Sequence, residues 1–343
     1  MKILIEQLHG MGDTVCALPK IKQIRDSYPG AYICVIVKLS ICKEIIQMSR
    51  VRVDEIIIFD VYKSVYNSYK RFLTLRKKNF DIMYSSVLTP IKKAKLFRFF
   101  INPKRWIALQ SSNKSYASLD DKLHFVDAEL LLVDAKNRDI TPRLYPRNDD
   151  VTRFMLNISQ KKYSKIVGVC IGKADISYKY KLIRRGEVYT RAWGSDKFID
   201  LISRLRERNI LIILLGGTQE INIAKYFNNF FYGDDGVIDF VGKTSMIESM
   251  SLSSICDLQI GVDTGMQHVA SAVGTTTLSI FGPTNPLTHG AYGSNSFFVT
   301  YSPKLDCQFC FGTRKYLLCK RRSCLDNISV DMVYDRVVSI LGI

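Results

Sequence analysis

Two short turns in the chain hold residues able to do group-transfer chemistry. The first is His9-Gly10-Met11-Gly12-Asp13-Thr14. Its glycines let a ligand approach the backbone, and Asp13 is placed to accept a proton from an acceptor hydroxyl. Aspartate is also a preferred residue at a helix start, so proton acceptor and helix cap are both open for Asp13. The second turn is Gly261-Val262-Asp263-Thr264-Gly265-Met266-Gln267-His268. It follows a strand pattern and opens a helical one, so the N–H groups of Thr264, Gly265 and Met266 would point out of a helix N-terminus, a ready site for a diphosphate. His268 adds either a donor to that phosphate or a hydrogen-bonded core histidine. Asp263 would repel phosphate and better suits capping or a sugar hydroxyl. Arg191, in Thr190-Arg191-Ala192-Trp193, is a candidate to neutralise a leaving diphosphate; the plainer reading is a surface arginine beside a packed tryptophan. Phe281-Gly282-Pro283-Thr284-Asn285-Pro286 reads as a rigid turn.

Cys307, Cys310, Cys319 and Cys324 fall within eighteen residues and begin as C-x-x-C. That spacing suits a structural tetrahedral thiolate site for zinc or iron, or else four reduced thiols or two disulfides. No open catalytic position is evident there. Cys16, Cys34, Cys42, Cys170 and Cys256 lie in apolar segments and read as reduced core residues. The chain has no Walker A sequence and no G-x-G-x-x-G fingerprint, which argues against nucleotide hydrolysis by a P-loop and against a nicotinamide-dependent epimerase.

The turns need a scaffold, and the hydrophobic pattern describes one. Lys2–Leu8, Ala31–Val37, Asp54–Phe59, Asp81–Ser85 and Trp106–Leu109 read as buried strands, with helices between them. The first helix, Asp13–Tyr28, stops at Pro29-Gly30. A helix is expected over Asp120–Ala135, and a polar linker over 136–164. A second alternating set has strands at Lys165–Ile171, Ile210–Leu215, Val237–Val241, Leu258–Val262 and Thr276–Phe281. Its helices are Ser195–Arg208, Gln219–Phe231, Met246–Ile255, Gly265–Val273 and Val330–Leu341. Alternation of this kind predicts an α/β protein of two Rossmann-like lobes, parallel sheets covered on both faces, with ligands bound in a central cleft at the C-terminal ends of the strands. The expected boundaries are 1–150, 151–328 with the cysteine cluster, and a final helix in 329–343 packing back towards the first lobe.

The 343 residues are 47% hydrophobic and 24% charged, an ordinary globular balance, but the net charge is +17. Residues 63–114 hold thirteen lysines or arginines and one acid, Asp81. Such a field attracts anionic partners: nucleic acid, anionic lipid or phosphorylated glycan. No nucleic-acid motif accompanies it, so nucleic acid is not expected; Tyr62, Tyr66 and Tyr69 have the spacing of a helix face. A polyanion-binding α/β protein is the competing class. No apolar run suits a membrane span or a signal peptide, and Glu6 interrupts the short one at the N-terminus, so a cytoplasmic protein is expected.

Together, several segments resemble glycosyltransferase family 9, the ADP-heptose-dependent heptosyltransferases. They are Gly10-Met11-Gly12-Asp13 with Leu18-Pro19 behind, Arg191-Ala192-Trp193, Gly216-Gly217 with Glu220, Val262 to His268, Phe281 to Pro286, and Gly290-Ala291-Tyr292-Gly293. The resemblance covers most of the chain and rests on their order and spacing. It implies a GT-B fold, acceptor on the N-terminal lobe and nucleotide-sugar donor on the C-terminal lobe. It also implies inverting transfer of heptose from ADP-heptose to a hydroxyl of lipopolysaccharide core, with no cofactor or metal in the chemistry. Asp13 becomes the general base. Arg191, Thr264, Gly265, Met266 and His268 contact the donor diphosphate, Asp263 lies near the sugar, and Glu220 with Lys243-Thr244 holds the nucleoside. Gly12, Lys92, Lys93 and Lys95 fall on the acceptor side. The acceptor would be an anionic glycolipid or a glycoprotein, and the enzyme would touch the cytoplasmic face of the inner membrane peripherally. The cysteines resemble a cluster in a subset of the family that includes a protein-glycosylating branch. Two features depart from the family pattern. The stretch between Cys170-Ile171-Gly172 and Arg191 is longer than the family pattern, and its threonine pair is missing. Lys173–Tyr189 is expected as a mobile lid.

Overall fold

The computed structural model describes residues 1–59, 65–109, 123–133, 141–159, 163–172, 191–319 and 321–343. The lid segment Lys173–Tyr189, together with Thr190 and Tyr62, lies outside the described residues. The chain divides into two compact units, Met1–Tyr145 and Pro146–Ile343.

The first unit contains β1 (Lys2–Gln7), α1 (Met11–Ser27), β2 (Tyr32–Val37), α2 (Ser40–Met48), β3 (Glu55–Ile58), α3 (Val65–Lys77), β4 (Ile82–Ser85), α4 (Ile91–Ile101), β5 (Arg105–Ile107) and α5 (Phe125–Leu130). Its sheet has the order β3-β2-β1-β4-β5, and every described pairing is parallel. Successive connections run one way from β1 to β3 and the other way from β4 to β5. The switch point therefore lies at the C-terminal ends of β1 and β4, where open sheets bind ligands. Phe59, Phe72 and Phe97 fill the core on one face of this sheet. The helix expected over Asp120–Ala135 is, among the described residues, only Phe125–Leu130. His124 Nδ1 accepts the Val126 N–H at 3.1 Å and starts it, and residues 131–133 turn away.

The second unit contains α6 (Asn148–Ser159), β6 (Lys165–Cys170), α7 (Ser195–Glu207), β7 (Ile210–Leu215), α8 (Ile221–Phe230), β8 (Val237–Asp239), α9 (Met246–Ser254), β9 (Leu258–Val262), α10 (Gly265–Ala272), β10 (Thr276–Phe281), α11 (Pro286–His289), β11 (Ser296–Thr300), α12 (Arg314–Leu318), α13 (Ser323–Asp326) and α14 (Val330–Leu341). Its parallel sheet runs β11-β10-β9-β6-β7-β8, so its switch point lies between β6 and β9. Strand β7 explains the layering. Ile210, Ile212 and Leu214 join one core with Trp193, Phe198 and Leu201, while Leu211, Ile213 and Leu215 join another with Phe154, Ile158 and Leu252. Side chains alternate across a strand, so a run that is apolar at every position needs cover on both faces.

Two differences from the sequence reading stand out. The region expected as linker contains α6, whose Phe154 and Ile158 are buried one turn apart while Arg153 pairs with Glu248 of α9 at 2.7 Å. The sheet also gains β11, which the hydrophobic pattern does not mark; it is an edge strand whose Phe298 remains 43% exposed. Helix α14 has the bounds expected and packs on α7 and β11 of its own unit. No helix among the described residues is long and apolar enough to cross a membrane.

Candidate active site

In the first unit, α1 begins at the switch point. Gly10 is its extended N-cap, and the Gly10 N–H donates to Asp13 Oδ2 at 2.9 Å. The Asp13 carboxylate thus acts as a cap in this structure. Gly12 and Asp13 are both half-buried.

Beneath this turn is a buried polar layer that the sequence reading misses. Glu6, legible there only as a break in an apolar run, is fully buried. It accepts hydrogen bonds from Thr89 Oγ1 (2.8 and 2.9 Å), Ser86 N (3.2 Å) and Leu8 N (3.3 Å). Burial pushes its carboxyl pKa up, against these bonds and the nearby charge of Lys20. Thr89 Oγ1 is also 2.8 Å from His9 Nε2. Its single proton points to Glu6, so the ring donates through Nε2 and the proton sits there. Burial, helped by the charges of Lys93, Lys20 and Lys38, pulls the His9 pKa down to about 3 and keeps the ring neutral. Alongside, Lys20 and Glu129, both buried, pair at 2.5 Å, and Glu129 accepts the Ser86 hydroxyl. These bonds tie α1, α5 and the β4–α4 loop under the Asp13 turn. On α4, Lys92 and Lys95 are exposed and Lys93 is half-buried, its ammonium 5.6 Å from the Phe97 ring centre.

In the second unit, the β9–α10 turn carries the other candidates. Strand β9 approaches β6 closely: a Cβ on Gly261 would stand 2.9 Å from Cys170 Cβ. Next in line, Asp263 Oδ2 lies 3.2 Å from Arg191 Nη1. The acid that would repel phosphate therefore carries its own countercharge. The Arg191 guanidinium stacks 4.4 Å above the Phe311 ring. Its position is set by its neighbours: buried Trp193 donates to Ile328 O at 3.0 Å, and Arg322 donates to Ala192 O at 2.8 Å. Neither Phe311 nor Arg322 stands out in the sequence as part of this site. Thr264 is the N-cap of α10, and its buried hydroxyl has no hydrogen-bond partner among the described residues. Gly265, Met266 and His268 follow in the first turn, all half-buried. Behind them Gln267 bonds Leu278 O, Ser279 and Gln259, a buried network that fixes the helix start against the sheet.

The remaining donor-side candidates gather at the ends of β7 and β8. Glu220 caps the short 3₁₀ turn by accepting the Gly217 N–H at 2.8 Å. Gly242 N donates to Gly216 O at 3.0 Å, bringing the two strand ends together. Lys243 pairs with Asp239 at 2.7 Å, and the Thr244 hydroxyl meets Ser249 at the same distance. The Phe281–Pro286 turn is packed from within: a Cβ on Gly282 would lie 2.5 Å from Leu325 Cγ.

Cys307, Cys310, Cys319 and Cys324 line one cavity of about 120 Å³ with Pro283, Tyr316, Arg321 and Arg322. All four are free thiols. Burial, and then the proximity of the other three sulfurs, raises the Cys324 thiol to about 12. Four thiols around one small cavity are a donor set that suits a thiophilic cation, with the two arginines offsetting thiolate charge. No three His, Cys, Asp or Glu side chains among the described residues are grouped as metal ligands, however, and Cys319 Sγ is turned to Arg321 O at 2.6 Å. A cavity of about 560 Å³ flanks Leu18 to Asp26 of α1. Its wall on α1 begins at Leu18, five residues or roughly 8 Å along the helix from Asp13, and ends at Asp26.

Comparison with known proteins matches residues 69–320 to the family described as glycosyltransferase family 9 (heptosyltransferase). Lipopolysaccharide heptosyltransferase 1 of Pseudomonas aeruginosa is 59% identical over 129 residues, which is 36% of this chain and 34% of that protein. The match thus spans about a third of that relative's length. The solved structure of the Escherichia coli ADP-heptose lipopolysaccharide heptosyltransferase II superposes with a TM-score of 0.74 at 17% identity, covering 100% of this chain and 99% of that one. A family 9 glycosyltransferase from Veillonella parvula gives 0.75 at 16% identity, covering 99% and 97%. These structures share the two-lobed GT-B fold.

Proposed function

The chain belongs to glycosyltransferase family 9, and on that premise we propose that it transfers heptose from ADP-heptose, with inversion, to a hydroxyl of an anionic lipopolysaccharide-core acceptor. The observation that carries this reading is the α10 N-terminus, where Thr264, Gly265 and Met266 follow the Arg191–Asp263 pair. A diphosphate there meets unpaired helix N–H groups and a guanidinium, while Asp263 holds that guanidinium in place. The acceptor oxygen attacks the anomeric carbon, Asp13 takes the hydroxyl proton, and the bond to the diphosphate breaks with its electrons on ADP. Arg191, His268 and the helix N-terminus stabilise the leaving charge, so positive charge comes from the chain itself. Glu220, Lys243 and Thr244 hold the nucleoside, with Gly216 and Gly217 giving it room. Gly12, Lys92, Lys93 and Lys95 receive the anionic acceptor. Cys307, Cys310, Cys319 and Cys324 would hold a structural zinc or iron ion, beside the Phe311 on which Arg191 stacks and outside the transfer step itself.

Calorimetric titration with ADP, UDP, GDP, CMP and then ADP-heptose at physiological salt tests the reading. Selective binding of ADP and ADP-heptose is expected. Preference for UDP or GDP would replace the sugar and keep the mechanism, while no binding of any nucleotide would remove the transferase assignment of this site.

A further inference from the structure

The cavity of about 560 Å³ in the first unit lies between the second half of α1, the loop from α2 to β3, and residues 141–145. That is the size of a small-molecule site. Its wall holds Lys22, Arg25, Arg50, Arg52 and Arg143 against a single acid, Asp26. Two of these cations are already neutralised, Lys22 by Asp26 at 2.5 Å and Arg25 by Asp54 at 2.6 Å. Arg50, Arg52 and Arg143 are exposed and have no carboxylate within ion-pairing distance among the described residues. Three like charges around one hollow repel one another, and an anion between them removes that cost.

The hollow is also preformed. Buried Arg25 donates to the carbonyls of Arg52 (2.9 Å), Pro29 (3.0 Å) and Ala31 (2.8 Å), which fixes the loop that carries Arg50 and Arg52. Arg50 has a φ of 57° just past the end of α2, where glycine is preferred and a side chain is strained. Its guanidinium lies 4.5 Å over the Tyr145 ring, and the Tyr145 N–H donates to Met48 O at 3.0 Å. An arginine kept in a glycine's place points to a binding role, since such strain gathers at ligand sites. Arg25 is in the last turn of α1 and Arg52 stands just ahead of β3, so these cations lie at the N-terminal edge of the parallel sheet, whereas the Asp13 turn follows the C-terminal end of β1.

We propose that this cavity binds a small soluble sugar carrying two phosphate groups, with Arg50, Arg52 and Arg143 on the phosphates. A phosphate monoester carries about −1.5 to −2 charge at pH 7, so two of them match three guanidiniums, while one would leave positive charge over. The planar guanidinium fork fits phosphate oxygens in pairs. The rest of the wall suits a sugar ring: Leu18, Pro19 and Val51 offer apolar surface to its C–H face, and Thr141 and Tyr145 bring hydroxyls to meet its own. A nucleoside fits less well. Among the described residues Tyr145 is the one aromatic ring in the wall, and Arg50 covers one of its faces, so no slot between two rings takes a base. The site does not rest on the transferase reading above.

The test is calorimetric titration of the full chain with fructose 1,6-bisphosphate and glucose 1,6-bisphosphate, beside glucose 6-phosphate and free glucose, at physiological salt, with and without ADP. A single bisphosphate bound per chain is expected, about tenfold or more tighter than the monophosphate, with free glucose not binding and ADP not interfering. The R52Q/R143Q variant should weaken bisphosphate binding by about tenfold or more. R50G should weaken it too, while melting no lower than wild type, because glycine relieves the strain at that position; a merely structural arginine would not separate the two readouts. Binding of ADP should be unchanged in both variants. Absence of binding by both bisphosphates, equal affinity for the monophosphate, or wild-type affinity in R52Q/R143Q overturns the proposal. Displacement of the bisphosphate by ADP would give it to the donor turn, and a raised acceptor KM in R52Q/R143Q without bisphosphate binding would give the cavity to the acceptor; either result overturns it as well. Because bisphosphate binding is read apart from ADP binding, failure of this site and failure of the transferase reading are distinguishable.

Discussion

At the scale of single residues, Asp13 must cap its helix and, on the proposed mechanism, accept a proton. The two duties separate by substitution. An asparagine in its place would keep an oxygen for the Gly10 N–H but cannot act as base, whereas an alanine gives up both. We expect Asp13→Asn to melt within a degree or two of wild type, bind ADP normally and lose transfer by about 10²–10⁴-fold. Asp13→Ala should lose transfer equally and also about 1 kcal/mol of stability. Wild-type turnover by Asp13→Asn would sink the base assignment. His9 gives a pH signature. Its folded pKa, about 3, lies below the unfolded value near 6.5, so the unfolded chain binds the extra proton. The stability this contributes is present above pH 6.5 and is lost as pH falls towards 3, amounting to about 2 kcal/mol by pH 5. His9→Gln keeps a donor for Thr89 without titrating. Its urea midpoint should therefore drop less than the wild-type midpoint between pH 7.5 and pH 5; equal drops would show that the ring is not held neutral. Asp13, Asp263 and Arg191 are legible in the sequence because each sits in a local strand-turn-helix pattern. Glu6 with Thr89, and Lys20 with Glu129, are not, because the partners are 83 and 109 residues apart and only the fold brings them together.

At the scale of elements, legibility follows how far a strand or helix is specified by its own residues. Strand β7, apolar at all six positions, and α14, opened by Ser329 and ended by Gly342, have local signals for their type and their ends. Helix α6 is hidden in a polar stretch because only Phe154 and Ile158 mark its inner face, and β11 because an edge strand needs few buried residues. Close approach of strands is likewise invisible in one dimension. Gly261 reads as part of a phosphate turn, yet its lack of a side chain is also what lets β9 lie against Cys170. The Cys170 Cβ is too near the backbone to swing aside, so Gly261→Ala should cost about 1–3 kcal/mol through overpacking. Gly30→Ala, where an added Cβ meets nothing within 4 Å, is the control and should be near neutral. Urea denaturation of both variants checks this; equal stability would mean that the β6–β9 contact relaxes freely.

At the scale of the whole molecule, the apolar clusters respect the division of the chain. The cluster built on Phe59, Phe72 and Phe97 lies within Met1–Tyr145, and the two that share β7 lie within Pro146–Ile343. Every donor-side candidate, from Arg191 to His268, belongs to the second unit, as do the groups that hold Arg191: Phe311, Arg322, and Trp193 through Ile328. A unit with its own cores and its own ligand contacts should fold and bind without the other. Residues 146–343 expressed alone are therefore expected to give a cooperative thermal transition and to bind ADP within about tenfold of the full chain, since none of the proposed nucleotide contacts is removed. Residues 1–145 should bind no nucleotide. Circular dichroism and calorimetry on the two fragments decide the matter. A folded second unit that fails to bind ADP would mean that the nucleotide also depends on residues before Pro146, and the donor role assigned to the α10 turn would have to be shared with the Asp13 unit.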